Sequence, residues 1–200
     1  MASRSSTLVT ILAAVVVIGS IPLLAMNPAS CEKQLRGAAA GPTISPDGKA
    51  ISIKINDRTF KLDLALDNDT RIKGLGQRES IPDDGGMFFV FPDDQVRVQG
   101  FIMRDCTFPI DILYLDGSGR ILTQHTMKVE PPRGEGEGKP GLANNTDAEN
   151  LKYESRLPQY SSRFPSQFVL EFKGGALEPL KLKEGAKVEF DRDELKKRAK

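Results

Sequence analysis

Histidine and cysteine are scarce in this chain, which has one histidine, His125, and two cysteines, Cys31 and Cys106. So few nitrogen and sulfur donors cannot assemble the four-ligand cage of a structural zinc site, and no metal site is expected. Two cysteines cannot build a disulfide scaffold either, and nothing in the sequence supports a bridge between Cys31 and Cys106. Charge of one sign is also missing: 28 Lys plus Arg balance 27 Asp plus Glu for a net charge of +1. No field is left to gather nucleic acid or an acidic polymer, so nucleic acid is excluded as a partner. There is no GxSxG elbow, no phosphate-cradling glycine loop and no Cys-His pairing in a recognisable context, so no cofactor is expected.

What is present begins with TLVTILAAVVVIGSIPLLAM, Thr7 to Met26, twenty residues without a charge. As a helix rising about 1.5 Å per residue it would span roughly 30 Å, the thickness of a bilayer's hydrocarbon. Only Thr7, Thr10 and Ser20 offer polarity, so it has no polar face of the kind a buried core helix shows. Three fates stay open for residues 1–26: an uncleaved anchor, a cleaved signal peptide, or a lipoprotein signal. The run exceeds the roughly 7 to 15 apolar residues of a signal-peptide core, which favours the anchor. Ala29-Ser30-Cys31 resembles a lipidation ending, making Cys31 the lipidation candidate, although Pro28 stands where an aliphatic residue is expected. Arg4 on one flank and Lys33 and Arg36 on the other specify orientation weakly. The short N-terminal tail points the domain outward, to the periplasmic side of an inner membrane, with the membrane and an envelope ligand or protein as its partners.

Residues 27–46, rich in Ala, Gly, Pro and Ser, read as a linker. A domain over 47–190 follows. Ile51, Ile53 and Ile55, a turn at Asn56-Asp57-Arg58, and Phe60, Leu62, Leu64 and Leu66 describe a hairpin with one buried face. Asp67, Asn68 and Asp69 offer cap oxygens for a short helix over Thr70 to Leu75, with Gly76 to end it. Strand-type runs follow at Gly86 to Phe91, Val96 to Met103, Phe108 to Asp116, Arg120 to Val129, Gln167 to Phe172 and Ala186 to Phe190. Turn residues separate them. The fold class is therefore mainly β, a small barrel or sandwich with one or two short helices, preceded by the N-terminal hydrophobic helix. Residues 130–158 read as a polar, mobile surface insertion, and 191–200 as a charged helical tail with a frayed end.

GGMFFVF to Phe91, GFIMRDCTFPIDILYLD (Gly100 to Asp116) and VLEFKGG (Val169 to Gly175) resemble the family called domain of unknown function 192. Gly74-Leu75, Met87, Met103, Pro109, Asp111, Tyr160, Leu170, Glu171, Gly174 and Gly185 fall where that family's pattern places its counterparts. Gly76 stands in place of the usual Met, and Arg104-Asp105-Cys106 in place of Lys-Asn-Thr. The resemblance covers about Ile51 to Phe190 and implies a compact, mostly β domain behind a membrane or signal segment, with no established activity.

Two carboxylates draw attention. Asp111 interrupts FPIDILYL, a run apolar on both faces, so it sits in a central strand and needs partners such as Arg104 or Arg78. Glu171 alternates with Leu170 and Phe172 and reads as solvated. If the two converged to within about 5 to 10 Å they would form a glycan hydrolase pair, the alternative to a non-enzymatic ligand-binding envelope domain. A structural tether is the third reading. Phe101 and Met103, rimmed by Arg104 and Asp105 and joined by Asp111, are the candidate ligand-binding residues; core packing is their plainer role. His125 reads as packed or surface, and Asp67-Asn68-Asp69 as a helix cap.

Overall fold

The computed structural model describes residues 41–140 and 148–200. Thr7 to Met26 and Cys31 lie outside these residues. Among the described residues no helix is long and apolar enough to cross a membrane.

Strands β1 (Thr43–Ile44), β2 (Ala50–Ile55) and β3 (Arg58–Ala65) open the domain, followed by helix α1 (Asn68–Lys73). Then come β4 (Gly85–Val90), β5 (Arg97–Phe101), β6 (Ile110–Leu115) and β7 (Ile121–Met127), helix α2 (Ala148–Ser155), β8 (Tyr160–Ser166), β9 (Phe168–Lys173) and helix α3 (Arg192–Arg198). Seven strands form one sheet in the order β1-β2-β3-β4-β9-β6-β7, and β5 pairs with β8 in a separate ribbon. The large sheet is antiparallel except for β3 against β4, whose parallel pairing requires the crossover that α1 supplies. No pairing joins β1 to β7, so the mainly β expectation holds without a closed barrel.

The hairpin expected over Ile51 to Leu66 is present as β2 and β3, with Ile51, Ile53, Ile55, Phe60, Leu62 and Leu64 buried. Asp67 caps α1, its carboxylate accepting from the Thr70 N–H at 2.8 Å. The helix ends two residues earlier than expected, at Gly74 with φ 55°, a backbone shape that suits glycine. The central strands β4, β6 and β9 are buried along nearly their whole length, because apolar layers cover both faces of the sheet. One layer holds Ile53, Phe60, Leu62, Phe88, Leu113 and Leu170, closed over by the C-terminal segment through Leu177, Phe190 and Leu195. The other holds Leu75, Met87, Phe89, Met103, Ile112, Tyr114 and Val169.

Three expectations need correction. Ala186 to Phe190 is not a strand: it touches the sheet through one bridge, Arg120 to Lys187, and is held mainly by burying Val188 and Phe190. The C-terminal tail does not fray, since Leu195 is fully buried and the Lys200 N–H donates to the Leu66 carbonyl at 2.7 Å. The insertion at 130–158 is not a bare loop. Its described residues include α2, and they bury Asn150, Tyr153 and Leu157. Tyr153 lies under two guanidinium groups, Arg133 at 4.0 Å and Arg156 at 4.8 Å from its ring centre. The segment is polar because ion pairs and cation-aromatic contacts, rather than an apolar stripe, hold it down.

Candidate functional site

Asp111 and Glu171 do not converge. In the register of β6 and β9, Glu171 stands opposite Ile112 while Asp111 stands opposite Phe172. Directly paired residues share a face and adjacent residues point to opposite faces, so the two carboxylates lie on opposite sides of the sheet. This removes the geometry of a two-carboxylate glycan hydrolase.

Asp111 belongs to the layer closed by the C-terminal segment and is 1 % exposed. Its carboxylate accepts from the Thr126 hydroxyl at 2.9 Å and from the Leu177 N–H at 2.9 Å. The structural reading therefore stands with different partners: Arg78 pairs with Asp63 and Arg104 pairs with Glu154. Asp111 staples the segment after β9 to the sheet and is not a ligand contact.

Glu171 is the reverse of its expected solvated state. It is 5 % exposed, with Met87 and Ile112 beside it on the neighbouring strands. Among the described residues its carboxyl has no hydrogen-bond or ion-pair partner. Burial, the larger cause, pushes its pKa up to about 8, while the Arg78 charge pulls the other way. At neutral pH the group is a carboxylic acid with a hydrogen to donate.

That acid sits on the wall of a cleft of about 340 Å³ bounded by α1, β4, β5 and the turns around them. Gly74-Leu75-Gly76 brings the end of α1 against the Arg104 backbone; a Cβ on Gly76 would stand 3.0 Å from the Arg104 carbonyl oxygen. Gly86 allows β4 to meet β9 beneath Glu171, since a Cβ there would lie 1.9 Å from the Glu171 carbonyl oxygen. Phe89 and Phe101, edge to face with centres 5.0 Å apart, supply apolar wall. Arg71 enters from α1 and is tied by its guanidinium to main-chain oxygens of Leu66, Val90 and Lys200. Its Nε is buried without a partner. Arg104 lines the cleft with Glu154, to which it donates at 2.7 Å, and also donates to the Ile72 carbonyl oxygen.

Of the residues singled out from sequence, Phe101 and Arg104 line this cleft. Met103 is buried in the adjoining core at 1 % exposure. Asp105 turns away, its carboxylate held by Arg133 at 2.8 Å, so it anchors the insertion instead of the cleft rim. Cys106 does line the cleft, but burial and the neighbouring Glu171 and Asp105 raise its thiol to about 12, so it is no thiolate nucleophile. His125 is part-buried, its Nε2 2.9 Å from the Ser161 carbonyl oxygen. Sequence reasoning singled out Glu171 but read it as solvated unless it met Asp111, and it missed Arg71, Lys73, Arg97 and Glu154. For Glu171 the signal was available: it breaks the apolar run FVLEF as Asp111 breaks its own.

Among solved structures, a chain from Novosphingobium aromaticivorans DSM 12444, described as a protein of unknown function, is 21 % identical and matches with a TM-score of 0.52 over 76 % of this chain and 94 % of that one. A second, from Sinorhizobium meliloti 1021 and described as a "putative transcription regulator", is 26 % identical over 69 % of this chain and 88 % of that one, with a TM-score of 0.48. No curated protein matches. The Novosphingobium structure shares the fold. The family model for domain of unknown function 192, described as Uncharacterized ACR, matches residues 51–190, and with that span covered the chain belongs to this family.

Proposed function

We propose that this chain is a non-enzymatic binding domain, tethered to or exported across a membrane by its N-terminal apolar run, that takes a small ligand in the cleft beside Glu171 on the extracytoplasmic side. The observation that carries the binding reading is Glu171 itself: a carboxyl group buried on the wall of an open cleft, without a partner among the described residues. Burying such a group costs free energy unless something hydrogen-bonds to it, and nothing in the apolar wall around it does. A ligand is the natural partner. The cleft's size falls in the range of small-molecule sites, and its mixture of aromatic wall and a few polar groups is typical of them.

The location rests on Thr7 to Met26, whose twenty uncharged residues are long enough to span a bilayer. Full-length protein recovered in the soluble cytosolic fraction after cell lysis would overturn that part.

The chain contains no tryptophan, so Phe101→Trp places a single fluorescent reporter in the cleft. Small molecules that raise the melting temperature of the unsubstituted chain are expected to change the emission of this reporter. A ligand present at a hundred times its Kd stabilises by about 2.7 kcal/mol, enough to detect. Ligands that stabilise the Phe101→Trp variant as they do the unsubstituted chain, yet leave its emission unchanged, would show that binding takes place elsewhere and that the cleft is not the site.

A further inference from the structure

The charges lining the cleft do not cancel. Arg104 is neutralised by Glu154, and Arg71 is tied to main-chain oxygens of Leu66, Val90 and Lys200 and to the Gln95 amide oxygen, with the Asp67 carboxylate acting on it as well. Lys73 and Arg97 line the same cleft, are exposed, and have no side-chain partner among the described residues. With Glu171 in its acid form, the Lys73 and Arg97 charges face the opening without a compensating carboxylate among the described residues. A cleft with cations of this kind at its rim attracts and holds anions.

Resting on the binding reading above, we propose that the ligand is a small organic anion. Its acid group meets Lys73 and Arg97 at the rim, its apolar body lies on Phe89 and Phe101, and an acceptor oxygen at its buried end receives the hydrogen of the Glu171 carboxyl. Each end of such a molecule answers a group that is otherwise unpaired, and only a carboxyl that keeps its proton can donate to the acceptor. An ammonium ligand would instead have to pass the Lys73 and Arg97 charges, and Glu171 would have to release its proton to solvent before the two could form an ion pair.

Binding then depends on pH through Glu171. The groups facing it are Met87 from β4, Tyr114 from β6, Cys106 from the β5–β6 connection and Arg78 from the α1–β4 connection. Arg104 and Glu154 line the cleft beyond them. Tyr114 and Cys106 are both pushed upward, Cys106 to about 12, and stay neutral through the range in which Glu171 ionises. His125 pairs with Ile112 from the far side, two strands from Glu171, and a Glu171→Gln control separates its contribution.

The test is calorimetric titration of the full chain with 4-acetylbenzoate, which has an acid group, a ring and a ketone acceptor. 4-Ethylbenzoate lacks the acceptor and 4-acetylbenzylammonium reverses the charge. The proposal expects 4-acetylbenzoate to bind at least about tenfold more tightly than either, a difference of about 1.4 kcal/mol. Joint replacement Lys73→Ala with Arg97→Ala should weaken it by at least about tenfold through loss of both rim charges. Affinity should fall by about tenfold per pH unit above about 8 in the native chain and stay level in Glu171→Gln, which keeps an N–H donor but cannot ionise. Preference for the ammonium overturns the anion class while leaving the cleft as a binding site. Equal affinity for the ketone and the ethyl compound overturns the Glu171 contact and with it the proposal. Failure of all three probes at millimolar concentration also overturns it; the binding reading itself falls only if the Phe101→Trp reporter answers no ligand.

Discussion

Glu171→Gln should stabilise the folded chain in mildly alkaline solution and leave it unchanged in acid. The carboxyl ionises near 4.5 when exposed and near 8 when folded, with burial as the main cause. Below 4.5 both states hold the proton and the group contributes no slope. Between the two values the unfolded chain releases its proton while the folded chain keeps one, so stability falls as pH rises, by about 1.4 kcal/mol per unit. Above 8 both states are ionised and the slope vanishes. The shift amounts to a loss of about 3 to 5 kcal/mol across the window, a large part of a domain's margin. Glutamine has nearly the shape of the protonated acid and cannot ionise, so the variant should exceed the native chain by less than about 1 kcal/mol at pH 5 and by about 3 to 5 kcal/mol at pH 8. Asp67, Asp83 and Asp116 are held below their ordinary value and Glu137 is lowered to about 2, so their stabilising effects are already in place above the start of the window. Urea denaturation at half-unit pH intervals, native against variant, measures the difference directly. Curves that run parallel within about 1 kcal/mol would show that Glu171 is solvated or partnered, and the cleft reading would lose its foundation.

Asp111→Ala should cost about 2 to 4 kcal/mol in urea denaturation, because it leaves the buried Leu177 N–H and the Thr126 hydroxyl without their acceptor; a loss below about 1 kcal/mol would refute the staple. Tyr153→Ala should cost about 3 to 5 kcal/mol, since the ring is buried between Arg133 and Arg156. A melting temperature unchanged by that substitution would return residues 130–158 to the status of an unpacked loop. Removing most of Gly134 to Asn150 should likewise unsettle the domain, because Asn150 and Glu137 are buried there and Arg133 donates to Asn150 at 2.8 Å; a deletion variant that melts like the native chain would contradict this. Gly86→Ala should prevent folding, shown by loss of the native circular dichroism spectrum, because the new methyl would overlap the Glu171 carbonyl at 1.9 Å and β4 could not meet β9.

Local chemistry made much of this protein legible without coordinates. Alternation at Ile51 to Ile55 and Phe60 to Leu64 declares a half-buried hairpin because side chains in a strand repeat every two residues. Asp67 announces a helix start because its carboxylate reaches the Thr70 N–H three residues on. Asp111 in an apolar run implies a partnered acid, and it is one. The linked motifs from Gly74 to Gly185 identify the family, since several glycines and apolar positions recur in one order.

The rest depends on contacts between residues far apart in the chain. Alternation assigns faces within one strand but says nothing of how one strand is registered on another, so it left open whether Asp111 and Glu171 share a face. The β6–β9 pairing decided that they do not. Alternation also suggested a strand over Ala186 to Phe190, but a strand requires a partner edge, and only the bridge from Lys187 to Arg120 is available. The short β1 and the bulged β8 lack the apolar signal and exist because β2 and β5 offer them partners. Composition made the 130–158 insertion look unpacked because Arg133, Glu137 and Asn150 are polar residues; their mutual bonds and those to Asp105 exist only after folding brings Asp105 to them. The cleft beside Glu171 belongs to that same class of facts: helix, strands and turns from separate parts of the chain enclose it, and the cost of an unpartnered acid arises only once they have closed around it.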